Sequence, residues 1–446
     1  MSSTKSHWPL SLLGGGVSLL NMFLPMILVR TLAPEAIGHY KIFFLYLMVM
    51  PLLFMSAGIT NGLSYCVGYD EKKTAAFRNS WTILLVIASM VLASGIISYP
   101  ALIKWLDWNP YFLRLFIWSA FVQILATFFE EATIASGQIW RGALFLSGFD
   151  LLRNMSMLSA ALVYGTIEAV FWANMIVVTI KVALGFIIGY REGFQRFDWN
   201  PEFRKGVLRY AFPVSLSGVL TIVTNYNDQF LLTSMIPPAA FAMYSMGCLS
   251  LPPLLILEQA VNRVLIPRMS KAFATGRGNE ASQLLREATS ELSWLFIPSA
   301  TGLFVFADPI ITLLFTKAYL AAAIFLKISA FRWMNLALPF DAVARARGKS
   351  GWIFRQYVIF SIISTCLVIA LAKAFGATGA ILGSVTAGYL MRFAAIGAIK
   401  KAEGWSLKEM LPWNDWGRYY FFALVASGAA LLIKPYIGDG TGGRKW

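Results

Sequence analysis

The chain has 446 residues, of which 58% are hydrophobic, 15% aromatic and 13% charged. Because soluble proteins carry about 25% charged residues, this composition excludes a soluble globular enzyme. In so apolar a chain, the formal net charge of +15 indicates a basic cytoplasmic membrane face rather than a nucleic-acid partner. The three cysteines lie far apart and there are two histidines, so we expect no disulfide framework, no metal site and no cofactor.

Thirteen apolar segments are long enough to cross a bilayer, which takes about 20 residues per helix. In chain order they lie near 9–30, 40–62, 79–99, 113–136, 143–164, 168–190, 211–235, 239–262, 290–307, 319–343, 353–374, 377–399 and 418–436. The first segment is too long for a signal peptide and lacks a cleavage pattern, so we interpret it as a retained helix. The sequence therefore predicts an all-α integral membrane protein that crosses the membrane many times.

The loops between these segments differ in charge. Lys and Arg concentrate in the even-numbered loops, among them those at 191–209 and 263–289, and are sparse in the odd-numbered loops. By the positive-inside rule, the N-terminus and the even loops lie in the cytoplasm. A thirteenth span would place the C-terminus outside although the tail contains Arg444 and Lys445. Either the chain is short of a fourteenth span or the last assignment is wrong.

The loop at 263–289 ends in a basic amphipathic helix, in which Leu284, Leu285 and Ala288 are interleaved with charged residues. This pattern is typical of a helix that lies on the membrane surface. We interpret it as a membrane-surface linker that joins two bundles.

The chain contains an internal repeat. At an offset of 204 residues, 9–40 aligns with 213–244 without a gap, and at an offset of 211 residues Gly165 aligns with Gly376. Each repeat holds six spans, so both enter the membrane from the same side. This predicts two parallel-repeat six-helix bundles around a central cavity, an architecture typical of transporters.

The repeat also predicts the domain boundaries. We expect an N-terminal six-helix bundle at 1–200 and a C-terminal six-helix bundle at 201–400. A cytoplasmic loop and about one additional transmembrane helix follow at 401–446.

Three short motifs resemble those of a known family, the polysaccharide-type flippases of the multidrug/oligosaccharidyl-lipid/polysaccharide exporter superfamily. Leu32–Tyr40 resembles the "L-G-P-x-x-x-G-x-Y" signature that follows the first span in that family. Arg209–Gly218, followed by Asn225 and Asp228, resembles the family's opening of the second bundle. Arg263–Lys271 resembles its "P-x-x-S/A" stretch after the eighth span.

The resemblance runs over nearly the whole chain, although Ala33 stands where glycine is usual and the thirteenth span is odd in number. It implies a multi-pass flippase, not an enzyme, in the bacterial inner (cytoplasmic) membrane. The implied substrate is an undecaprenyl-diphosphate-linked oligosaccharide, such as an O-antigen or exopolysaccharide repeat unit. Membrane lipid and a polysaccharide polymerase are the partners that it suggests.

Four cations fall near the middle of predicted spans, where an unpaired charge is costly and usually faces a cavity or a partner. They are Arg153, Lys181, Arg332 and Arg392. Lys181 and Arg392 align in the repeat, and two cations that face one cavity suit a diphosphate. The alternatives are pairing between helices for Lys181 and Arg392, and for Arg153 a local pair with Asp150, three residues earlier on the same helix.

Acidic residues are candidates for ion coupling or gating. Asp228, close to Asn225, could carry a coupling proton or sodium ion, because desolvation raises the pKa of a carboxylate; a structural ion pair is the alternative. Glu130 and Asp341 align in the repeat and lie near the predicted cytoplasmic end, so we interpret them as gate or interface acids.

Other functions stay open. A lipid-linked peptidoglycan-precursor flippase and a cation-coupled drug exporter belong to the same superfamily, but an exporter of cations would favour an acidic site. A polymerase or ligase of polysaccharide assembly would need a larger outside domain than these short loops provide. A sugar-lipid facilitator of unrelated fold would not show the parallel repeat.

Overall fold

The computed structural model describes residues 8–56, 58–60, 73–106, 108–135, 139–191, 201–249 and 251–433, and within these ranges the regular structure is helical without strands. Long apolar stretches favour helices, because a helix satisfies its own backbone hydrogen bonds inside a membrane. By contact clustering, the chain divides into an N-terminal unit, Met1–Tyr226 with Phe230–Ala242, and a C-terminal unit, Asn227–Gln229 with Met243–Trp446.

The described residues up to Gly247 form ten helices. They are α1 (Trp8–Thr31), α2 (Pro34–Leu53), α3 (Lys73–Ile97), α4 (Tyr99–Leu106), α5 (Pro110–Ala135), α6 (Ile139–Ala143), α7 (Phe149–Tyr164), α8 (Ile167–Arg191), α9 (Pro201–Leu232) and α10 (Pro238–Gly247). A π-helical segment, Leu144–Gly148, joins α6 to α7. The core of the N-terminal unit includes Trp81 of α3 and Phe128 and Phe129 of α5, whose rings lie 5.2 Å from that of Trp81.

Eight further helices lie in residues 251–433, the remaining described part of the C-terminal unit. They are α11 (Pro252–Ala274), α12 (Gly278–Val305), α13 (Ala307–Phe315), α14 (Ala323–Leu336), α15 (Ala342–Ala346), α16 (Ser350–Glu403), α17 (Leu407–Met410) and α18 (Trp413–Ile433). A 3-10 helix, Lys317–Ala322, precedes α14.

The basic amphipathic segment forms the first half of α12. Its apolar residues Leu284, Leu285 and Ala288 are buried in one cluster with Met269 of α11 and Trp405. The apolar face therefore packs inside the C-terminal unit, which differs from the surface linker that the sequence alone indicates. The spacing of apolar residues showed which face of the helix is buried. It did not show whether that face packs against lipid or against other helices.

Helix α16 is two helices that pack against each other as a hairpin. The backbone leaves helical geometry at Gly376, with φ 61° and ψ −143°. On the second leg, a Cβ at Gly379 would lie 1.8 Å from the Leu371 carbonyl oxygen, and one at Gly383 would lie 2.9 Å from Val368 Cα. Glycine at both positions permits this close approach of the two legs.

The predicted repeat is also visible in the backbone. Gly165 ends α7 in the left-handed region, with φ 62° and ψ 18°. Its repeat counterpart, Gly376, breaks α16 at almost the same φ. At the offset of 204 residues, Pro34 and Pro238 each begin a helix, α2 and α10. Proline suits the first turn of a helix because it lacks the N–H that would there be unbonded.

By length and composition, six of the described helices can cross a membrane, or up to eight if each bent pair is one span. The Gly351–Glu403 helix among the six is the broken α16 and covers two predicted segments. Where they are described, all thirteen predicted segments coincide with helices or helix pairs; parts of the second, fourth, eighth and last lie outside the described residues. The chain is thus a multi-pass membrane protein.

Candidate functional site

In the N-terminal unit, Glu130 of α5 and Lys181 of α8 form an ion pair with 2.5 Å between Lys181 Nζ and Glu130 Oε1. Lys181 is only 4% exposed. Its Nζ also lies 5.8 Å from the ring centroid of Phe145 and 5.9 Å from that of Phe149. The cation therefore has a carboxylate and two aromatic faces as partners, and each of them stabilises a desolvated ammonium group.

The two aromatic partners of Lys181 lie on the π-helical segment and directly after it. Phe145 belongs to Leu144–Gly148, and Phe149 begins α7. Their rings lie 5.2 Å apart. Short π-helical insertions change the direction of the side chains around them and are frequent at functional sites. Here the insertion brings two aromatic residues four positions apart to one ammonium group.

Arg153 of α7 lies beside Asp150, with 3.5 Å between Nη1 and Oδ1. This is the local contact that the spacing of three residues allows. Arg153 Nε is buried and has no hydrogen-bond partner among the described residues. One residue further on, Asn154 donates a hydrogen bond of 2.8 Å to Asn21, which links α7 to α1.

In the C-terminal unit, Asp228 of α9 is fully buried and lies at the centre of a polar network. Arg332 of α14 contacts Asp228 Oδ2 at 3.0 Å through Nη2, and Nη2 also donates to Ser384 of α16 at 2.9 Å. The Tyr244 hydroxyl donates to the same carboxylate oxygen at 2.5 Å. Asp228 Oδ1 has no hydrogen-bond partner in the described part of the chain.

The residues next to Asp228 differ in their surroundings. Asn227 is buried and donates to Ser364 at 2.9 Å, on the first leg of α16. Asn225, which the sequence also indicated, has an exposed side chain. The structure thus brings Asp228 and Arg332 together and places the Asn225 side chain at the surface.

Arg392, on the second leg of α16, lies over an aromatic ring. Its guanidinium carbon is 5.1 Å from the ring centroid of Phe340. Within the described residues Arg392 forms no salt bridge, and its buried Nε has no hydrogen-bond partner. Asp341 and Glu258 are near enough to act on it electrostatically. Arg392 is therefore a membrane-embedded cation among acids that it does not contact.

The carboxylate of Asp341 is engaged by another residue. Arg345 donates from Nε to Asp341 Oδ2 at 2.7 Å, an (i, i+4) contact outside the membrane-spanning helices. Burial lowers the pKa of Arg345, but attraction to Asp341 and the hydrogen bond outweigh this, so the pKa lies above its ordinary value.

Three partners were not identified from the sequence. Arg345 could have been found from its position four residues after Asp341. Tyr244 aligns with Tyr40 in the repeat, which marks the position but not the hydrogen bond. Ser384 carries no signal. The described residues contain no group of three or more His, Cys, Asp or Glu that could hold a metal ion.

A family model described as "Polysaccharide biosynthesis protein" matches residues 27–324. A probable lipid II flippase MurJ of Rhizobium meliloti (strain 1021) is 25% identical over 213 residues, which is 45% of this chain and 39% of the relative. The alignment thus spans about two fifths of the length of that curated relative.

Two solved structures share the fold. A lipid II flippase MurJ in an inward closed conformation has a TM-score of 0.72 at 17% identity, covering 97% of this chain and 93% of that chain. An inward-facing multidrug resistance MATE family transporter of the MOP superfamily has a TM-score of 0.64 at 14% identity, covering 86% of this chain and 96% of that chain. The predicted all-helical membrane fold of the two-lobe transporter type is thereby confirmed.

Proposed function

Because the chain belongs to the polysaccharide biosynthesis protein family, we propose that it is a flippase for an undecaprenyl-diphosphate-linked oligosaccharide. Its cargo would be an O-antigen or exopolysaccharide repeat unit, moved across the bacterial inner membrane by alternating access, with the N-terminus in the cytoplasm. The transporter fold shared with members of the MOP superfamily supports this proposal.

The observation that carries the proposal is that Arg392 has no carboxylate in contact within the described residues. A guanidinium group inside a membrane helix is costly unless an anion or a polar cavity compensates its charge. Arg392 has no carboxylate in contact within the described residues, only the ring of Phe340. A diphosphate supplies an anion that can contact the guanidinium group, which can bind phosphate oxygens in bidentate fashion.

A peptidoglycan-precursor flippase is a second candidate, favoured by the similarity to proteins described as lipid II flippases. The diphosphate chemistry at Arg392 is the same for both candidates, so the sugar part distinguishes them. A cation-coupled drug exporter fits less well, because an unpaired guanidinium repels a cationic cargo. A polymerase partner and coupling of transport to protons or sodium belong to the proposal as well.

The test uses vesicles that contain the full-length chain and an undecaprenyl-diphosphate-linked sugar with a fluorescent label. A membrane-impermeant reductant added outside bleaches the label of each lipid that reaches the outer leaflet. We expect Arg392→Gln to slow translocation by roughly tenfold to a hundredfold, as expected for the loss of one charge-assisted hydrogen bond. Arg392→Lys keeps the charge and should slow it less.

Lys327→Gln is the matched control, because Lys327 forms a partly exposed pair with Asp308 at 3.1 Å in the same unit. It should translocate as fast as the wild type. Equal rates for Arg392→Gln and wild type would refute the role of Arg392. A protein that moves a lipid-linked peptidoglycan precursor but not an O-antigen or exopolysaccharide unit would establish the second candidate.

A further inference from the structure

Within the described residues, Arg332 makes hydrogen bonds through only one nitrogen of its guanidinium group. Nη2 makes both contacts, to Asp228 at 3.0 Å and to Ser384 at 2.9 Å. Nε and Nη1 make no hydrogen bond with the described residues, and the Arg332 side chain is 29% exposed. A guanidinium group has five N–H donors in a fixed plane, so most of its donors remain available to a ligand.

The residues that hold Arg332 are themselves fixed. Asp228 is fully buried, and its Oδ2 accepts from both Arg332 and the Tyr244 hydroxyl. Removing a carboxylate completely from water is costly, and partners from α10 and α14 compensate here. The arrangement keeps Nη2 of Arg332 in place and leaves its other nitrogens without a hydrogen bond to the described residues.

We propose that Arg332 is a second anion-binding residue for the phosphate groups of the cargo, and that Asp228 is its positioning residue. This inference rests on the proposed function, because that function supplies a phosphate-bearing lipid as the ligand. The chemistry recognised is a diphosphate group that links a polyprenyl chain to a sugar.

The second leg of α16 relates Arg332 to Arg392. Ser384, the partner of Arg332, precedes Arg392 by eight residues on this leg. At 1.5 Å per residue, the two positions lie about 12 Å apart along the helix. We take Arg332 and Arg392 as two anion-binding positions along the second leg of α16.

This role for Asp228 differs from ion coupling. A coupling carboxylate has to release its protein cation and take up a proton or sodium in each cycle, so its loss changes the pH or sodium dependence of transport. A positioning carboxylate acts through Arg332 alone. Its loss lowers substrate affinity and has no further effect once Arg332 is gone.

The test measures equilibrium binding of radiolabelled undecaprenyl diphosphate to the purified full-length chain in nanodiscs. We expect Arg332→Gln to weaken binding by roughly tenfold to a hundredfold. Because Asp228 would then be buried without its cation, that variant could fold poorly. The double variant Asp228→Asn/Arg332→Gln removes both charges and should fold, with the same loss of affinity. Lys327→Gln should bind as the wild type does.

Competitors identify the chemistry that is bound. Unlabelled undecaprenyl diphosphate and, more weakly, inorganic pyrophosphate should displace the label. Displacement by phosphatidylglycerol alone would contradict the inference, because the site would then recognise a bulk lipid headgroup.

The remaining outcomes separate this inference from the proposed function. Normal affinity in Arg332→Gln together with weak binding in Arg392→Gln would overturn the inference and leave the proposed function intact. No binding of undecaprenyl diphosphate by the wild type would overturn the proposed function itself. If Asp228→Asn keeps full affinity but abolishes the pH or sodium dependence of transport, Asp228 couples an ion and does not position Arg332.

Discussion

The repeat places an acid and a base at equivalent positions in both units, yet only one unit joins them. In the N-terminal unit Glu130 and Lys181 are 2.5 Å apart. In the C-terminal unit Asp341 bonds to Arg345, and Arg392 lies over a phenylalanine ring instead. Equivalent charges therefore do not imply equivalent roles.

A single position accounts for the difference. Arg345 lies four residues after Asp341, within reach on the same side of the chain. At the offset of 211 residues, its counterpart is Ile134, which offers no charge to Glu130. Glu130 therefore pairs with the cation of a neighbouring helix, whereas Asp341 is occupied locally. The N-terminal cation is therefore paired with a carboxylate, and the C-terminal cation has no carboxylate in contact within the described residues.

The largest effect is expected when the ion pair between Lys181 and Glu130 is broken. Lys181→Gln leaves Glu130 buried without its cation, so the free energy of unfolding should fall by about 3–5 kcal/mol. Thermal unfolding of the purified protein in detergent measures this loss. The double variant Glu130→Gln/Lys181→Gln removes both charges and should recover most of the stability. Unfolding of Lys181→Gln at the wild-type temperature would show that the pair is not structural.

A second comparison concerns the two glycines that break helices at equivalent positions. Gly376, with ψ −143°, lies near a region that essentially only glycine occupies, so Gly376→Ala should cost up to about 3 kcal/mol. Gly165, with ψ 18°, is left-handed helical, and Gly165→Ala should cost roughly 1 kcal/mol. Neither Cβ would meet an atom within 4 Å, so the difference reports backbone strain alone. Equal unfolding temperatures for the two variants would contradict this ranking.

The smallest effect is expected for a change at Arg345, the residue that we infer keeps Asp341 from pairing with Arg392. Arg345→Ile gives the C-terminal unit the same residue as Ile134, its counterpart in the N-terminal unit. Asp341 would then be released to pair with Arg392. Affinity for undecaprenyl diphosphate should then fall by about threefold to tenfold, because the substrate competes with a carboxylate. Arg345→Lys, which keeps a cation beside Asp341, is the control. Adding Asp341→Asn to Arg345→Ile should restore the affinity, and unchanged affinity in Arg345→Ile would refute the explanation.

Much of the fold could be predicted from the sequence, because apolar length and loop charge are local properties. The helix starts at Pro34 and Pro238 and the breaks at Gly165 and Gly376 follow from residues whose backbone preferences are strong. The burial of the amphipathic face of α12 could not be predicted. Apolar spacing marks a face to be covered but does not distinguish lipid from protein.

The candidate residues were recognisable, but their partners were not. An ionisable residue in an apolar run stands out at once, as Lys181, Asp228, Arg332 and Arg392 do. Arg332, the partner of Asp228, is 104 residues away in sequence. The sequence alone does not show which residues so far apart come into contact. The two cations aligned by the repeat have different partners because one neighbour, Arg345, competes for the acid.

The hairpin of α16 has a mechanical consequence. The two legs are joined by the turn at Gly376. At the other end, Arg347, three residues before the first leg, forms an ion pair with Glu403 at the end of the second leg, so the hairpin is a frame tied at both ends. Ser364 on one leg bonds to Asn227, and Ser384 on the other leg bonds to Arg332, the partner of Asp228. Two consecutive residues of α9 are thus tied to opposite sides of one frame. A rotation of Asn227–Gln229, which belongs to the same unit as the hairpin, would therefore pull on both legs together.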